Sequence, residues 1–490
     1  MTKNYFAVDL GATSGRTILA TFDGTRVQMQ EVTRFANPMI PLGGHLYWDI
    51  AGLYNEVLRG LREIAGKGIQ IESIGIDTWG CDFAFFGSDG QLLGMPHCYR
   101  DQHTVGAQEK FFEKMPAAEV YKRTGIQFMD FNSLFQLDTL KRNGSQALEH
   151  ADKVLFIPDA LIYMLTGKAI CEYTVASTSQ MLNPVTGDLD EDILAALGLS
   201  RDKFGIMTQP GTIVGTLSAQ VQEATGLGAI PVVAVAGHDT GSAVAAVPAS
   251  DREYAYLSCG TWSLLGIESE KAIISEDSFR ENFTNEGGIE GTTRFLKNIC
   301  GMWILEQCRK EWSREGKDYS YPQIVEMAEG AEPFVSFINP DDASFANPKS
   351  MLSAINHFCE CTGQVVPKDD AQVVRTIFES LALRYREVLE ILESMSPFAI
   401  DVLHIIGGGS KNRLLNQYTA NAIGKRVVAG PSEATAIGNI AMQAIAAGAI
   451  SSLAEARKCI RESVATEQFL PQDTDVWQAA YERFKAVNKR

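Results

Sequence analysis

The hydrophobic and polar positions change period along the chain, and each period predicts an element. Residues 6–10 are apolar, and residues 16–22 form a second apolar run after a glycine-rich turn, so we expect two adjoining strands. Apolar side chains then recur at helical spacing over residues 53–64, which predicts a helix that ends at Gly66. By the same criteria we expect strands at residues 27–35, 73–77, 231–236, 254–257, 262–267, 402–406 and 425–428, and helices at residues 372–392, 412–423 and 433–447.

Strands that alternate with helices indicate the α/β class, with sheets that are covered on both faces. The strand–turn–strand pattern of residues 6–22 returns at residues 254–267, where Gly260 takes the place of Gly11. This repeat lies near half the chain length and predicts two halves that arose by duplication. Residues 248–252, Pro-Ala-Ser-Asp-Arg, are the best linker between them.

The composition is that of a folded globular protein. Of the 490 residues, 45% are hydrophobic and 21% are charged, which excludes a mainly disordered chain. The formal net charge of −17 excludes a general nucleic-acid binder, because phosphate backbones require clustered basic residues. No segment approaches the ~18 apolar residues of a membrane helix, and no signal peptide is expected, so we expect a cytoplasmic protein without a membrane partner.

The nine cysteines are spread over the whole length, and their odd number favours reduced thiols over a disulfide framework. Cys359 and Cys361 form one C-x-C pair. Because no second cysteine pair or histidine cluster lies at the spacing of a zinc site, we interpret these two residues as unrelated thiols.

The sequence lacks a P-loop, and no G-x-G-x-x-G follows a strand, but three glycine turns come directly after strands. Such turns expose backbone N–H groups that suit phosphate oxygens without a net positive charge. In the first, residues 9–16, Asp9 adds a carboxylate that could hold Mg²⁺ through water, and Arg16 adds a cation. A plain β-turn is the alternative interpretation of this segment.

The second and third turns lie in the later part of the chain. The turn at Gly260 and Thr261 could bind the distal phosphates, although a simple hairpin is the alternative. The third, residues 407–409, could lie flat against a purine because glycine has no Cβ, or it could be an ordinary strand-to-helix turn.

Asp239 follows a buried strand and begins a helix. It could be a helix N-cap, or it could take the proton from a hydroxyl that attacks phosphorus. A structural role is the alternative for its neighbour His238, and equally for Trp79, Asp82 and Asn298.

Five segments together, in this order, resemble the FGGY family of carbohydrate kinases: residues 9–16, 76–83, 236–240, 258–263 and 405–412. The resemblance covers about residues 5–470 and implies an α/β, actin-like (ribonuclease-H-like) duplicated ATPase fold with two lobes around a cleft. It implies a sugar-binding lobe with the first phosphate loop at residues 1–247, a nucleotide-binding lobe at residues 248–470 and a C-terminal helix at residues 471–490.

The resemblance also implies ATP-dependent phosphorylation of a small-molecule sugar, with ATP and Mg²⁺ required. Five further segments resemble the family members that act on L-rhamnulose rather than the glycerol or xylulose kinases: residues 99–101, 125–128, 284–288, 296–298 and 429–434. This resemblance implies that L-rhamnulose is phosphorylated at its 1-hydroxyl. The alternatives are another ketose, such as L-fuculose or D-xylulose, and a non-kinase actin-like ATPase that acts as a sensor. The oligomeric state stays open, and the sequence is compatible with a monomer.

Roles carry over to matching positions as follows. Asp239 is the implied proton acceptor, and Asp9 is the implied partner of the metal. No nucleotide contact is assigned to Glu306, which stands where relatives can carry a glutamine. The implied ATP-binding residues are Ala12, Thr13, Ser14, Gly15, Arg16, Thr261 and Gly408, and the implied sugar-binding residues are Gly80, His238, Asp239, Thr240 and Asn298.

Overall fold

Strands and helices follow one another along residues 2–251 and 253–488, which are the residues described by this computed structural model. Arg252, the last residue of the predicted linker, lies outside them. The strands are β1 (Lys3–Leu10), β2 (Ser14–Phe22), β3 (Val27–Ala36), β4 (Met39–Leu42), β5 (His45–Trp48), β6 (Ser73–Thr78), β7 (Phe83–Phe86), β8 (Lys153–Phe156), β9 (Ile170–Glu172), β10 (Leu182–Asn183), β11 (Asp188–Leu189), β12 (Ile206–Thr208), β13 (Thr212–Thr216), β14 (Pro231–Ala234), β15 (Ala255–Cys259), β16 (Trp262–Ser269), β17 (Thr284–Gly287), β18 (Thr293–Cys300), β19 (Val402–Ile406), β20 (Arg426–Ala429) and β21 (Glu467–Phe469).

The α-helices alternate with these strands and include the helices expected from the periodicity. They are α1 (Ile50–Gly66), α2 (Ala107–Phe112), α3 (Ala117–Thr124), α4 (Ser133–Arg142), α5 (Gln146–His150), α6 (Ile157–Thr166), α7 (Tyr173–Ser177), α8 (Glu191–Leu197), α9 (Ala219–Thr225), α10 (Asp239–Ala245), α11 (Glu276–Arg280), α12 (Trp303–Arg314), α13 (Tyr321–Gly330), α14 (Met351–Cys361), α15 (Asp370–Met395), α16 (Arg413–Ile423), α17 (Ala434–Ala446), α18 (Leu453–Ser463) and α19 (Thr474–Asn488).

The chain forms two compact units that a single cut would not separate. One boundary falls between Ser250 and Asp251, inside the predicted linker. Assignment of sugar binding to residues 1–247 and of nucleotide binding to residues 248–470 stays a prediction. Unit 1 comprises the residues up to Ser250, Glu268–Phe295 and Ala434–Val464, and unit 2 comprises Asp251–Ile267, Leu296–Glu433 and the residues from Ala465 onward.

The central sheets of the two units share one topology. In unit 1 the strand order is β13-β14-β6-β1-β2-β3, with β1 antiparallel to β2 and parallel to β6. In unit 2, five strands of a seven-stranded sheet run in the order β21-β20-β19-β15-β16, with β15 antiparallel to β16 and parallel to β19. The outer pairs β14–β13 and β20–β21 are antiparallel in both units. The α/β class and the duplication predicted from the repeat are therefore confirmed.

The sheet of unit 1 is covered on both faces. Successive side chains of β1 point to opposite sides of the sheet, and each set packs in a different hydrophobic cluster. Phe6 and Val8 pack in the same hydrophobic cluster as the buried stripe of α1, whose N-cap Asp49 accepts the N–H of Gly52. Burial of each large apolar side chain contributes about 1.5–3 kcal/mol. Tyr5 and Ala7 pack in a second cluster with α17.

Helix α17 also packs closely against α10, the helix that begins at Asp239. Gly438 makes this approach possible, because a Cβ at that position would lie 1.8 Å from the carbonyl oxygen of Ser242. The chain therefore returns to unit 1 late in its sequence and supports the helix that carries the candidate catalytic residue. Among the helices of residues 2–251 and 253–488, none is both long and apolar enough to cross a membrane.

Candidate active site

The first glycine turn joins β1 to β2 and is held by Asn37. The N–H of Gly11 donates to the carbonyl of Ser14 at 2.9 Å, which closes the turn. Asn37 donates its own N–H to the carbonyl of Thr13 at 3.0 Å and its side-chain amide to the carbonyl of Gly11 at 3.0 Å. Within the described part of the chain, the N–H groups of Ala12 and Thr13 have no acceptor. They can therefore bind an anion.

Ser14 and Gly15 lie in strand β2, whereas the sequence pattern placed them in the turn. The strand begins earlier because Ser14 is the register partner of Ala36 in β3. A Cβ on Gly15 would lie 2.4 Å from the Phe35 ring, so packing alone requires glycine there. Gly15 is buried, and only its backbone is suited to contact a phosphate.

Asp9 and Arg16 are register partners in the β1–β2 pair and form a close ion pair. The Nε and one terminal nitrogen of Arg16 donate to Oδ2 of Asp9 at 2.9 and 2.7 Å. The implied metal partner and the implied phosphate-binding cation are thus held against each other. The guanidinium compensates the charge of Asp9 and fixes its orientation.

Asp77 adds a third carboxylate beside Asp9 and Asp239, and it was not among the predicted site residues. It is the register partner of Asp9 in the parallel β1–β6 pair and is fully buried. Its Oδ2 accepts the amide of Asn439 at 2.6 Å, whereas its Oδ1 has no hydrogen-bond partner. Burial, the charge of Asp9 and that of Asp239 raise the pKa of Asp77 well above its ordinary value, against the effect of Asn439.

The loop before α10 is anchored at several points. The carbonyl of Gly237 accepts the N–H of Thr78 at 2.9 Å, at the end of β6. Buried Glu172 accepts the N–H of Gly237 at 3.0 Å and the hydroxyl of Thr174 at 2.7 Å. The Thr174 oxygen accepts the N–H of His238 at 3.2 Å. These bonds fix the backbone that presents His238 and Asp239.

Asp239 is the first residue of α10, and His238 is its N-cap without a side-chain capping bond. The N-cap interpretation of Asp239 is therefore wrong. Its Oδ1 accepts the N–H of Thr240 at 2.6 Å, and its side chain is 33% exposed. Desolvation raises the pKa of Asp239 above its ordinary value against the lowering effect of His238, and Asp9 adds to the rise. A raised pKa brings a carboxylate closer to the value suited to a general base.

The imidazole of His238 is flanked by three charged groups. Its Nε2 lies 3.5 Å from Oδ1 of Asp239, and its Nδ1 lies 3.2 Å from Oε2 of Glu286. Buried Arg294 approaches the same Glu286 oxygen to 3.0 Å and Nδ1 of His238 to 3.3 Å. Although burial raises it, Arg294 and His238 outweigh this effect and lower the pKa of Glu286. Glu286 thus carries a charge that orients His238.

Gly80 lies next to a strained residue and a buried carboxylate. A Cβ on Gly80 would lie 2.8 Å from Oγ1 of Thr178, and Cys81 has a φ of 69°. Asp82 accepts hydrogen bonds from Trp48, Trp79, Gln136 and the backbone of Tyr99. Burial raises the pKa of Asp82 to about 6 even though these donors lower it. Asp82 therefore anchors the protein around Gly80.

In unit 2, the hairpin tip at Gly260 and Thr261 is exposed and tied to the start of α12. The carbonyls of these two residues accept the N–H groups of Met302 and Trp303 at 3.1 and 3.2 Å. The N–H of Gly260 donates to the carbonyl of Trp262, two residues further on, at 2.8 Å, whereas the N–H of Gly11 donates to Ser14, three residues further on. The first glycine thus closes both turns, but the turn in unit 2 is one residue shorter.

The third glycine turn has one packed side and one open side. Gly407 has a φ of 80°, and a Cβ on Gly409 would lie 2.2 Å from Sγ of Cys259. A Cβ on Gly408 would meet nothing within 4 Å. The open side at Gly408 suits a flat ring. Asn298 is half-buried in β18.

Glu306 is engaged within unit 2. Its carboxylate lies 3.0 Å from Arg309 and accepts the hydroxyl of Tyr321. Whether Glu306 also contacts the nucleotide stays open.

Comparison with known proteins decides the family. Residues 4–246 match the model of the N-terminal domain of the FGGY family of carbohydrate kinases, and residues 255–447 match the model of the C-terminal domain. The chain belongs to the FGGY family of carbohydrate kinases. This FGGY kinase is 58% identical, over 99% of both chains, to a protein named rhamnulokinase from Bacteroides thetaiotaomicron. It is 40% identical to a rhamnulokinase from Bacillus subtilis, over 96% of both chains.

Its fold is that of other carbohydrate kinases. A crystal structure of gluconate kinase from Lactobacillus acidophilus matches with a TM-score of 0.81 at 16% identity, covering 100% of this chain and 98% of that one. The actin-like ATPase fold implied by the sequence is therefore confirmed for this FGGY kinase.

Sequence reasoning missed three charged residues of this site in unit 1, namely Asp77, Glu286 and Arg294. A signal for Asp77 existed, because it is a carboxylate in a strand whose six residues are all buried. Glu286 lies in residues 284–288, a segment that contributed only to the resemblance to the family. The roles of the implied ATP-binding and sugar-binding residues in this FGGY kinase stay predictions.

Proposed function

We propose that this carbohydrate kinase is a rhamnulokinase, which transfers the γ-phosphate of ATP to the 1-hydroxyl of L-rhamnulose. The products are L-rhamnulose 1-phosphate and ADP. The choice of sugar rests on similarity to relatives named rhamnulokinase. The chemistry rests on one observation. The Asp239 carboxylate has a raised pKa, and the loop directly before Asp239 is held by hydrogen bonds to Thr78, Glu172 and Thr174.

In the proposed reaction, Asp239 accepts the proton of the 1-hydroxyl as its oxygen attacks the γ-phosphorus. A new O–P bond forms to the sugar, and the bond between the γ-phosphorus and the β,γ-bridging oxygen breaks. The electron pair of that bond leaves with ADP. Asp239 later releases its proton to solvent. Gly80, His238, Thr240 and Asn298 are the proposed sugar contacts that hold the hydroxyl in line.

The exposed N–H groups of the first turn are proposed to bind phosphate oxygens, and Gly408 is proposed to lie against the adenosine. The unpaired N–H groups of Ala12 and Thr13 support the first assignment. The open space over Gly408 supports the second. The full proposed ATP-binding set is Ala12, Thr13, Ser14, Gly15, Arg16, Thr261 and Gly408.

The carboxylates of unit 1 fit a hard divalent cation. Asp77 has a buried Oδ1 without a hydrogen-bond partner, and it is the register partner of Asp9. Carboxylate oxygens and water are the ligands that Mg²⁺ prefers. Asp9 and Asp77 would hold Mg²⁺, which when bound compensates the negative charge of the phosphate oxygens.

A coupled ADP assay tests the proposal with L-rhamnulose, L-fuculose, D-xylulose, L-ribulose and glycerol. We expect little ADP release without sugar and the highest kcat/KM with L-rhamnulose. A preference for L-fuculose or D-xylulose would assign the protein to another ketose. ADP release that ignores every sugar would instead indicate an actin-like ATPase sensor.

A cytoplasmic location stays a prediction, which dependence on ATP favours. The oligomeric state also stays open, and size-exclusion chromatography with light scattering would decide whether the protein is a monomer.

A further inference from the structure

Three of the seven histidines gather around one carboxylate in unit 1, and none of the three is among the residues assigned to ATP or sugar. We name His45, His97, His103 and Asp101 the histidine cluster. His45 is the first residue of β5, and the backbone of residues 96–98 runs beside that strand. Asp101 caps a short 3₁₀-helix that contains His103. The fold thus unites residues about 50 positions apart.

The Asp101 carboxylate is the centre of the histidine cluster and is firmly oriented. Its Oδ1 lies 2.9 Å from Nδ1 of His45 and 2.8 Å from Nδ1 of His103. Its Oδ2 accepts the N–H of Leu46 at 2.7 Å. The side chains of Asp101 and His103 are 3% and 4% exposed. This is the arrangement of a metal-binding carboxylate whose outer partners fix its position.

Two imidazoles of the cluster have a buried nitrogen without a hydrogen-bond partner among residues 2–251 and 253–488, namely His97 at Nδ1 and His103 at Nε2. The side chain of His97 is 16% exposed, and its Nδ1 lies 3.8 Å from Oδ1 of Asp101. An unsatisfied buried polar atom is destabilising unless another group binds it. An imidazole nitrogen that has no hydrogen-bond partner can offer its lone pair to a metal ion.

The spacing of the ligand atoms matches a small divalent ion. One atom each from His45, His97 and Asp101 lies within 4.8 Å of the other two. Tetrahedral zinc with bonds of about 2.05 Å has ligand atoms about 3.3 Å apart. The distances of 2.9 and 3.8 Å from Asp101 to the two imidazoles lie on either side of that value.

An ion can reach the histidine cluster from solvent. The side chain of His45 is 44% exposed on its hairpin. His97 also lines a cavity of about 410 Å³, together with Tyr47 and Leu93. The site is therefore buried enough to fix its ligands and open enough to be filled.

We propose that His45, His97 and Asp101 bind a divalent transition metal of the zinc class, with His103 as a positioning residue. Two imidazoles and one carboxylate favour Zn²⁺ over Mg²⁺, which prefers oxygen ligands. The three protein ligands leave one tetrahedral position for water. The ion fastens the β4–β5 hairpin to residues 97–103, the segment whose Tyr99 N–H donates to Asp82.

The test uses the full chain without a polyhistidine tag, stripped with a chelator. Every protein carries Cys361→Ser, because that exposed thiol lies 3.4 Å from His357 and could bind zinc separately. Zn²⁺ is titrated by calorimetry, and Co²⁺ is followed by visible absorption, which is intense for tetrahedral coordination. Millimolar Mg²⁺ is present throughout to fill the proposed site at Asp9 and Asp77. We expect one Zn²⁺ or Co²⁺ per chain and a rise in Tm on binding, because Mg²⁺ should not compete for the histidine cluster.

Substitutions assign the ion to its ligands. His45→Ala and His97→Ala should abolish binding at concentrations that saturate the parent, and His103→Gln should weaken it about 10- to 100-fold. His150→Ala, an exposed histidine on α5, is the matched control and should bind as the parent does. If His97→Ala fails to fold, the exposed His45 decides the outcome. Absence of binding in the parent, or equal binding in His45→Ala, would overturn the proposal.

Discussion

Asp9 and Asp77 are register partners on the adjacent parallel strands β1 and β6 of unit 1. Two carboxylates at neighbouring strand positions raise each other's free energy unless a proton or a cation lies near them. The raised pKa of Asp77 and its partnerless Oδ1 agree with this. Although Arg16 compensates the charge of Asp9, ionised Asp77 is therefore destabilising in the isolated protein, and the pair is suited to a further cation.

Asp77→Asn is expected to raise the stability of the metal-free protein. A buried carboxylate with a raised pKa loses stability as the pH rises from its unfolded value, near 3.9, through its folded value. The amide has no such dependence, so Tm should rise by about 2–4 °C at pH 8 and by less near pH 4. Thermal unfolding at both pH values measures this, with exposed Glu223→Gln as the control. The half-saturating concentration of Mg²⁺ in the kinase assay should increase.

Asp239→Asn should fold and bind both substrates but lose about 10²–10⁴ in kcat, because the amide cannot accept the proton. Its Tm and its affinity for ATP should match those of the wild type. Turnover near the wild-type value would show that Asp239 serves only to begin α10.

The rate should fall in acid because only the unprotonated Asp239 acts as the base. The pKa of Asp239 is raised, so kcat is full above that value and is lost as the pH drops through it. His238 lowers this pKa, so His238→Gln should move the acidic limb of the profile to higher pH. Profiles of kcat at saturating substrates measure the shift, and a move to lower pH would contradict the assignment.

Glu286→Gln should be strongly destabilising, by about 3–5 kcal/mol, because Arg294 is 1% exposed and would lose its counter-charge. Combination with Arg294→Met should restore much of the stability, since no buried charge then remains. The double variant should still show a raised KM for the sugar, because His238 has lost the two charged groups beside its Nδ1, Glu286 and Arg294. Urea unfolding and steady-state kinetics separate the two effects. Full recovery of KM would limit the pair to a structural role.

The glycines of the third turn should separate stability from nucleotide binding. Gly408→Ala places a methyl group in open space, so Tm should stay unchanged while the KM for ATP rises. Gly409→Ala drives the methyl into Cys259 and should cost about 1–3 kcal/mol. Thermal unfolding and the KM for each substrate give the comparison. An unchanged KM for ATP in Gly408→Ala would remove Gly408 from the adenosine site.

Local sequence patterns were sufficient to predict the strands and helices whose own apolar residues mark the buried face. Strand β19 was predicted with both ends correct, because four of its five residues are apolar and three glycines follow them. Helix α1 was predicted from its buried stripe and its glycine end. The start of β2 was missed because Ser14 and Gly15 are small and join the strand through pairing with β3.

Contacts between distant residues could not be derived in this way. Glu286 and Arg294 reach His238 only after the chain has folded back from residues about 50 positions away. The same holds for His45 and Asp101, so the absence of zinc-site spacing in the sequence did not exclude the histidine cluster. The N-cap of α10 is His238, one position before Asp239. Which of the two residues is the N-cap depends on the backbone conformation, which the sequence pattern does not show.

Helix α17 belongs to unit 1 although it lies late in the sequence. This limits the positions at which the gene could be cut to give a folded fragment. A polypeptide that stopped at Ser250 would lack α17 and α18, and the β1 face with Tyr5 and Ala7 would be bare. Such a truncated product should aggregate, because its largest apolar surface has lost its cover. A soluble fragment would need Glu268–Phe295 and Ala434–Val464 grafted onto it. Recombination at a single crossover therefore cannot pass an intact first half from one enzyme to another.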